Sequence, residues 1–404
     1  MGTTLMNSPR AKVFGRAALA LLVWTVVCMP LLAQDAADPV SPASATAAVL
    51  LSSPRDYQVF QRETRLLGSV TIRGHAQAPV ERVEARIAGQ ALTGPLAARW
   101  HKLSLDRRTG EFHADLDTAA GGFYSVEVRV RHRAHRVDTL IVPHVGVGEV
   151  FVVAGQSNST NYGEVQQVTE TGMVTAFSGE GWRPANDPQP GVQDNSKKGS
   201  FIPSFGDALY RRYRVPIGVA SVGRGSSSVR HWLPQGEPVE VMPAMKTYIV
   251  SLPDGTLTSD GTLFDGMMTR IEPLGVHGLR AMLWHQGESD CHQPLANEIP
   301  AETYRRMLEH VILSTRKQAG WNIPWLVAQA SYHSPEDTGC PLLREAQRSL
   351  WQSGIALEGP DTDTLTSAYR QNNGKGVHLN DAGLKAHGLL WAQRVELYLD
   401  PLLR

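Results

Sequence analysis

Four short blocks of this chain carry the residue types that acyl transfer requires. Gly155-Gln156-Ser157-Asn158 offers a serine hydroxyl. Gly223-Arg224-Gly225-Ser226-Ser227-Ser228 offers backbone N–H groups that a ligand can approach closely. His285-Gln286-Gly287-Glu288-Ser289-Asp290 offers an amide and a carboxylate, and Gly376-Val377-His378-Leu379-Asn380 an imidazole. A serine becomes nucleophilic only with a base within hydrogen-bond reach, the base needs an orienting group, and the tetrahedral oxyanion needs preorganised donors. On this reading Ser157 is the nucleophile, His378 the base and Glu288 the orienter. The N–H groups of Ser157 and Gly225 and the Gln286 amide are the oxyanion donors. Asn158, Arg230, His231 and Trp232 are expected to line the substrate pocket, although a tryptophan at 232 suits a core equally well.

These blocks sit where an α/β fold keeps its chemistry. Continuous apolar runs at Glu149–Ala154, Ile217–Val222, Leu279–Trp284 and Trp325–Ala330, with a weaker one at Ile355–Leu357, read as buried parallel strands. The first three deliver the serine, glycine and Gln-Gly-Glu blocks from their carboxyl ends. Helical spacing at Ala301–Ala319 and Leu342–Trp351, and a helix opened by Asn380-Asp381 and running to about Leu399, fill the intervals. Ser204-Phe205-Gly206-Asp207 reads as a capping box that starts another helix, ending near Tyr213. Alternating strands and helices predict a doubly wound parallel sheet flanked by helices over residues 146–404.

The preceding hundred residues have a different period. Val83, Ala85 and Ile87 alternate with Arg82, Glu84 and Arg86, and Tyr124, Val126, Val128 and Val130 alternate with Ser125, Glu127, Arg129 and Arg131. Period two with turn signals between runs predicts an immunoglobulin-like β-sandwich over 48–145. Its basic stripe (Arg129, Arg131, His132, Arg133, His135, Arg136) is expected to be a solvated face.

Arg10, Lys12 and Arg16 followed by an apolar run over Ala17–Leu32 form the layout of a secretory signal over 1–33, and the Ala/Pro/Ser-rich segment 34–47 reads as a flexible linker. The chain is thus expected to be exported, periplasmic or secreted, with no membrane span after signal cleavage. Lys+Arg 39 against Asp+Glu 39 gives no basic excess for nucleic acid. Outside the signal, Cys291 and Cys340 are an even pair that an oxidising compartment can join, the alternative being two unrelated buried thiols. The cluster His285, Glu288, Asp290, Cys291 and His292 lacks the spacing of a metal site, so no metal is expected.

The four blocks together, with Leu263-Phe264-Asp265-Gly266-Met267-Met268 leading into Trp284-His285-Gln286-Gly287-Glu288-Ser289, resemble the sialate O-acetylesterase-like branch of the SGNH hydrolases, which includes acetylxylan esterases. The resemblance covers roughly residues 148 to 400. It implies a flavodoxin-like α/β domain and a serine esterase without cofactor or metal, acting on acetylated carbohydrate, with the consensus-block roles on Ser157, Gly225, Gln286 and His378. One position departs from the pattern: an aspartate usually stands three residues before the histidine, and here it is Lys375. A lysine cannot orient an imidazole, so Glu288 is expected to do so, with Asp361, Asp363 and Asp381 as alternatives and a Ser–His dyad as another. The same lysine motivates a second reading, a carbohydrate-binding protein with a degenerate hydrolase domain.

Overall fold

The computed structural model describes residues 49–133 and 136–404. The expected signal and linker lie outside them, as does His135 of the basic stripe. Among the described residues, no helix is long and apolar enough to cross a membrane.

The first strands are β1 (Val49–Ser53), β2 (Leu67–Ala76), β3 (Val80–Ala88), β4 (Glu111–Ala119) and β5 (Gly121–His132). β1, β2 and β4 form one antiparallel sheet, and β3 and β5 belong to another. Val126, Val128 and Val130 stand directly opposite Ile87, Ala85 and Val83, so the alternating apolar sets meet on one face. That face shares a core with Val70, Ile72 and Phe112 of the first sheet. The outward basic residues are paired as well as solvated: Arg129 Nε donates to Glu84 at 2.8 Å, and the same guanidinium lies 3.7 Å from the centre of the Trp100 ring.

The boundary expected at 145/146 falls inside one unbroken strand. β6 (Val137–Gly155) pairs antiparallel with β5 in its first part and parallel with neighbours on both sides from Glu149 onward. Glu149, fully buried at this change of partners, accepts from Arg62 Nε and Arg280 Nε, both at 2.7 Å. A buried carboxylate needs such partners, because desolvating it alone costs several kcal/mol.

Beyond β6 come β7 (Val174–Phe177), β8 (Ile217–Ser221), β9 (Ala281–His285), β10 (Trp325–Gln329) and β11 (Leu357–Asp361). Their parallel pairing gives the order β7-β8-β6-β9-β10-β11. With edge strand β7 set aside, this is the 2-1-3-4-5 order of flavodoxin-like sheets, whose topological switch point is the carboxyl end of the first strand, here β6. Phe151 and Val153 of β6 pack on one face against Phe205, Trp391 and Val395, while Val150, Val152 and Ala154 pack on the other with Met267, Leu308 and Leu343. Both faces are covered, which is why β6 reads as a continuous apolar run.

The covering helices are α1 (Ile202–Tyr213), α2 (Thr262–Ile271), α3 (Ala301–Ala319), α4 (Pro341–Gln352) and α5 (Asp381–Leu402). The start of α5 is capped as expected, with the Asn380 side chain accepting from Gly383 N at 2.8 Å. The capping box expected at 204–207 is not formed. α1 starts at Ile202 with Pro203 in its first turn. Ser204 Oγ is spent on Lys385 O of α5, and the buried Asp207 accepts instead from the N–H groups of Glu170 and Thr171.

Candidate active site

Ser157 stands at the switch point because the chain beyond β6 has only one way to turn. Gly155 has φ +130°, and a Cβ there would lie 1.9 Å from the His285 carbonyl of the adjacent strand. A side chain is excluded by contact and by conformation. Gln156 N then donates to that carbonyl at 2.9 Å, and Ser157–Ser159 form a 3₁₀ turn closed by Thr160 N on Ser157 O. Gln156, to which the sequence assigned no role, secures the β9 loop: its Oε1 accepts from Ser289 N at 2.9 Å and from Gly287 N and Gln286 Nε2, each at 3.3 Å. Ser157 is almost buried, and its hydroxyl has no hydrogen-bond partner among the described residues.

His378 arrives on an irregular loop. Asn372 and Asn373 have φ values of +54° and +56°, and Gln371 N donates to His378 O at 3.0 Å, folding the loop back on itself. The imidazole is part-buried, with the Tyr162 ring centre 5.0 Å from its own. Burial pushes its pKa down to about 4, against the pull of the Glu288 charge. Its Nδ1 lies 3.0 Å from Gln371 Nε2. Lys375, in the aspartate's place, is exposed.

The expected Glu288–His378 hydrogen bond is not made. Glu288 Oε1 is engaged by Asn158 Nδ2 at 2.9 Å and His285 Nε2 at 3.1 Å, while the orienting nitrogen of His378 is taken by Gln371. Desolvation would raise the Glu288 pKa, but the charge and hydrogen bond of His285 and the Asn158 amide outweigh it and hold it at about 2. The other carboxylates are also committed elsewhere: Asp361 and Asp363 to Arg344, and Asp381 to Lys385 and Gln167. Asn158 is the connector. Its amide reaches both Glu288 and, at 3.3 Å, the carbonyl of Val377, so one side chain ties the residue after the serine to the residue before the histidine.

Of the three expected oxyanion donors, two are occupied. Gly225 N donates to Asp194 Oδ2 at 2.6 Å, and Gln286 Nε2 donates to Asp290 Oδ2 at 2.6 Å and Ser227 O at 3.1 Å. Ionised acceptors form the stronger bonds, which accounts for both captures. The Ser157 N–H is not drawn into a backbone hydrogen bond among the described residues. The model for the carbohydrate esterases described as sialic acid-specific acetylesterases matches residues 147–396. The chain belongs to that family. Its fold is shared with XAC1771, a carbohydrate acetylesterase from Xanthomonas citri, at TM-score 0.51 and 18% identity, over 86% of this chain and 75% of that one. Two further solved structures are more distant. A protein from Arabidopsis thaliana has TM-score 0.44 and 19% identity, over 63% of this chain and 98% of its own. A carbohydrate esterase family 2 enzyme with its carbohydrate-binding domain, from Myceliophthora fergusii, has TM-score 0.33 and 11% identity, over 87% and 99%. No match is found among curated proteins.

In this family member Arg230, His231 and Trp232 are not pocket residues. All three are fully buried. The Arg230 guanidinium is bound by the carbonyls of Val241 and Asn297 and by Ser228 Oγ, His231 bridges Ser228 N and Met245 O, and Trp232 packs edge-on against Trp284. They brace the glycine block from behind. Asp290, at their centre, accepts from Ser228 Oγ, Val229 N and Gln286 Nε2, and Cys291 beside it is joined to Cys340 in a disulfide. An open cleft of about 870 Å³ lies next to His378, sharing Tyr162 with it and lined also by Asp194, Lys197, Lys198, Arg224 and Tyr248. The sequence did not single out Tyr162, Asp194 or Gln371, and no spacing marks them.

Proposed function

We propose that this carbohydrate esterase is an exported serine esterase that removes O-acetyl groups from sugars through an acyl-enzyme. The observation that supports the reading is the Asn158 side chain, which follows Ser157 in the chain and donates to Glu288 and to the carbonyl of Val377, the residue before His378. In the reaction Ser157 Oγ attacks the acetyl carbonyl and passes its proton to His378, which gives it to the departing sugar oxygen as the acetyl C–O bond breaks, so that the sugar leaves with a free hydroxyl. Water then repeats the sequence on the acetyl-serine. The Ser157 N–H is the donor ready for the oxyanion, and the other two join only if substrate displaces the carboxylates that hold them. Catalytic hydrogen bonds often close only around substrate, so a serine without a partner fits the resting site. Gln371 holds Nδ1. As placed, its amide nitrogen donates to Nδ1 and leaves the ring's proton on Nε2, so the base role requires the amide to turn and accept from Nδ1–H through its oxygen, which stabilises the imidazolium less than a carboxylate would.

The cleft beside His378 supports an acidic sugar over a neutral one, since Lys197, Lys198 and Arg224 face a single carboxylate, Asp194, which is already bonded to Gly225. Export by the 1–33 signal, the 34–47 linker, an immunoglobulin-like 48–145 region and an esterase region over 146–404 belong to the same reading. Acetate release from p-nitrophenyl acetate, then from acetylated sialic acid, xylan and peptidoglycan fragments, tests it. Turnover should be abolished in Ser157→Ala, with the acidic sugar preferred. Absence of turnover on every ester, with glycan binding retained, would favour the inactive binding protein that the exposed Lys375 suggests.

A further inference from the structure

We propose that the chain has a second ligand site, an oxyanion cradle built from Arg62, Arg65, Arg212 and Arg214 at the end of the sheet opposite Ser157. It takes a carboxylate or phosphate group, and it does not rest on the esterase reading above.

The position follows from β6. Glu149 opens the parallel part of that strand and Gly155 closes it, so at ~3.3 Å per residue the two ends lie about 20 Å apart. Ser157 follows the far end. At the near end Arg62 and Arg280 both donate to Glu149, and two guanidinium groups against one carboxylate leave a positive charge unbalanced below the surface. Arg62 is the deeper of the two, with its side chain 1% exposed. Its Nε is used on Glu149 and its Nη1 on the Arg65 carbonyl at 3.0 Å, but its Nη2 is buried with no hydrogen-bond partner among the described residues. A donor in that state costs stability, and an anion is the partner that satisfies it best.

The space for one is present. Arg62 and Tyr213 line a cavity of about 550 Å³, a volume suited to a small ligand, which Arg65, Arg212, Arg214 and Asp400 also line. Asp400 is the one carboxylate side chain in this wall, and both its oxygens are engaged, Oδ2 by Arg212 at 2.9 Å and Oδ1 by the Tyr213 hydroxyl at 2.8 Å. Arg65 and Arg214 are exposed and form no ion pair among the described residues. The partial negative charge at the carboxyl end of α1 accounts for Arg212 and Arg214. It does not account for Arg62 and Arg65, which come from the segment before β2 and converge on the same space. A guanidinium fork matches two oxygens of a carboxylate or phosphate, so four forks on one cavity select oxyanions over neutral molecules.

Isothermal titration calorimetry at pH 7 and constant ionic strength, with sodium phosphate and sodium glucuronate as separate titrants, tests the site. Saturable binding of at least one is expected, phosphate alone pointing to a free anion and glucuronate to the acid group of a sugar. Arg65→Gln combined with Arg214→Asn should weaken it about tenfold or more, asparagine being chosen because Arg214 has φ +58°. Lys197→Gln combined with Lys198→Gln, in the cleft beside His378, should leave it within about twofold. Arg62→Lys, which keeps a charge for Glu149 and removes the fork, should weaken it too, and if that variant does not fold the exposed arginine pair still decides. No saturable binding of either titrant up to about 10 mM, or binding that the arginine substitutions leave unchanged and only the lysine substitutions move, overturns the proposal. Acetyl-ester turnover plays no part in these titrations, so its absence would defeat the esterase reading alone.

Discussion

The two halves of the site are built on different plans. The serine side is locked by the sheet: Gly155 fits only as glycine against the His285 carbonyl, and Gln156 clamps the neighbouring loop through three donors. The histidine side is a loop with two asparagines at positive φ, an exposed lysine three residues before the histidine, and a neutral amide on the imidazole. Position on the first side follows from packing. On the second it follows from a few exchangeable polar contacts, so substitutions should be punished on the first side and tolerated, or even corrected, on the second.

The largest effect should come from Gly155→Ala, which forces a methyl group onto a backbone carbonyl. We expect a loss of about 3 kcal/mol or more in urea unfolding, with activity gone. Glu288→Ala, which leaves His285 without its buried partner, should cost about 3–5 kcal/mol. The pH dependence has a definite sign. The Glu288 pKa is depressed to about 2 from an ordinary 4.5, so its contribution is complete above pH 4.5 and fades as pH falls toward 2, a fade that Glu288→Gln removes from the pH–stability curve.

On the histidine side the effects are smaller and can go either way. With His378 depressed to about 4, the base stays neutral in weak acid, and kcat/KM should hold down to about pH 4 instead of failing near 6.5. Gln371→Glu would place a carboxylate on Nδ1 and should move that acid limb upward. An unmoved limb would show that Gln371 does not touch the working base. Lys375→Ala should change stability by no more than about 0.5 kcal/mol and kcat by less than about twofold, because the side chain is exposed.

The same contrast explains what could be read from the sequence. The strand β6, its Gly-Gln-Ser-Asn turn and the Asn380 cap are local patterns, and local physics dictates them. The contacts that connect the site are not local: Asn158 meets Glu288 across 130 residues and Val377 across 219. No spacing encodes the choice between Glu288 and Gln371 as partner of His378. Arg230, His231 and Trp232 were misassigned because their chemistry suits a ligand pocket, whereas the fold uses it to satisfy buried carbonyls beside Asp290. Gly225 N and the Gln286 amide, expected as oxyanion donors, are held by Asp194, which no motif marks, and by Asp290, which stands in the Gln286 block itself.

The central claim is that Ser157 becomes acylated. Brief reaction with p-nitrophenyl acetate, acid quenching and intact-mass analysis tests it most directly. The account predicts a species heavier by one acetyl group, mapped by peptide fragmentation to Ser157 and absent from Ser157→Ala. Turnover without any such adduct, or an adduct that survives in Ser157→Ala, would contradict it.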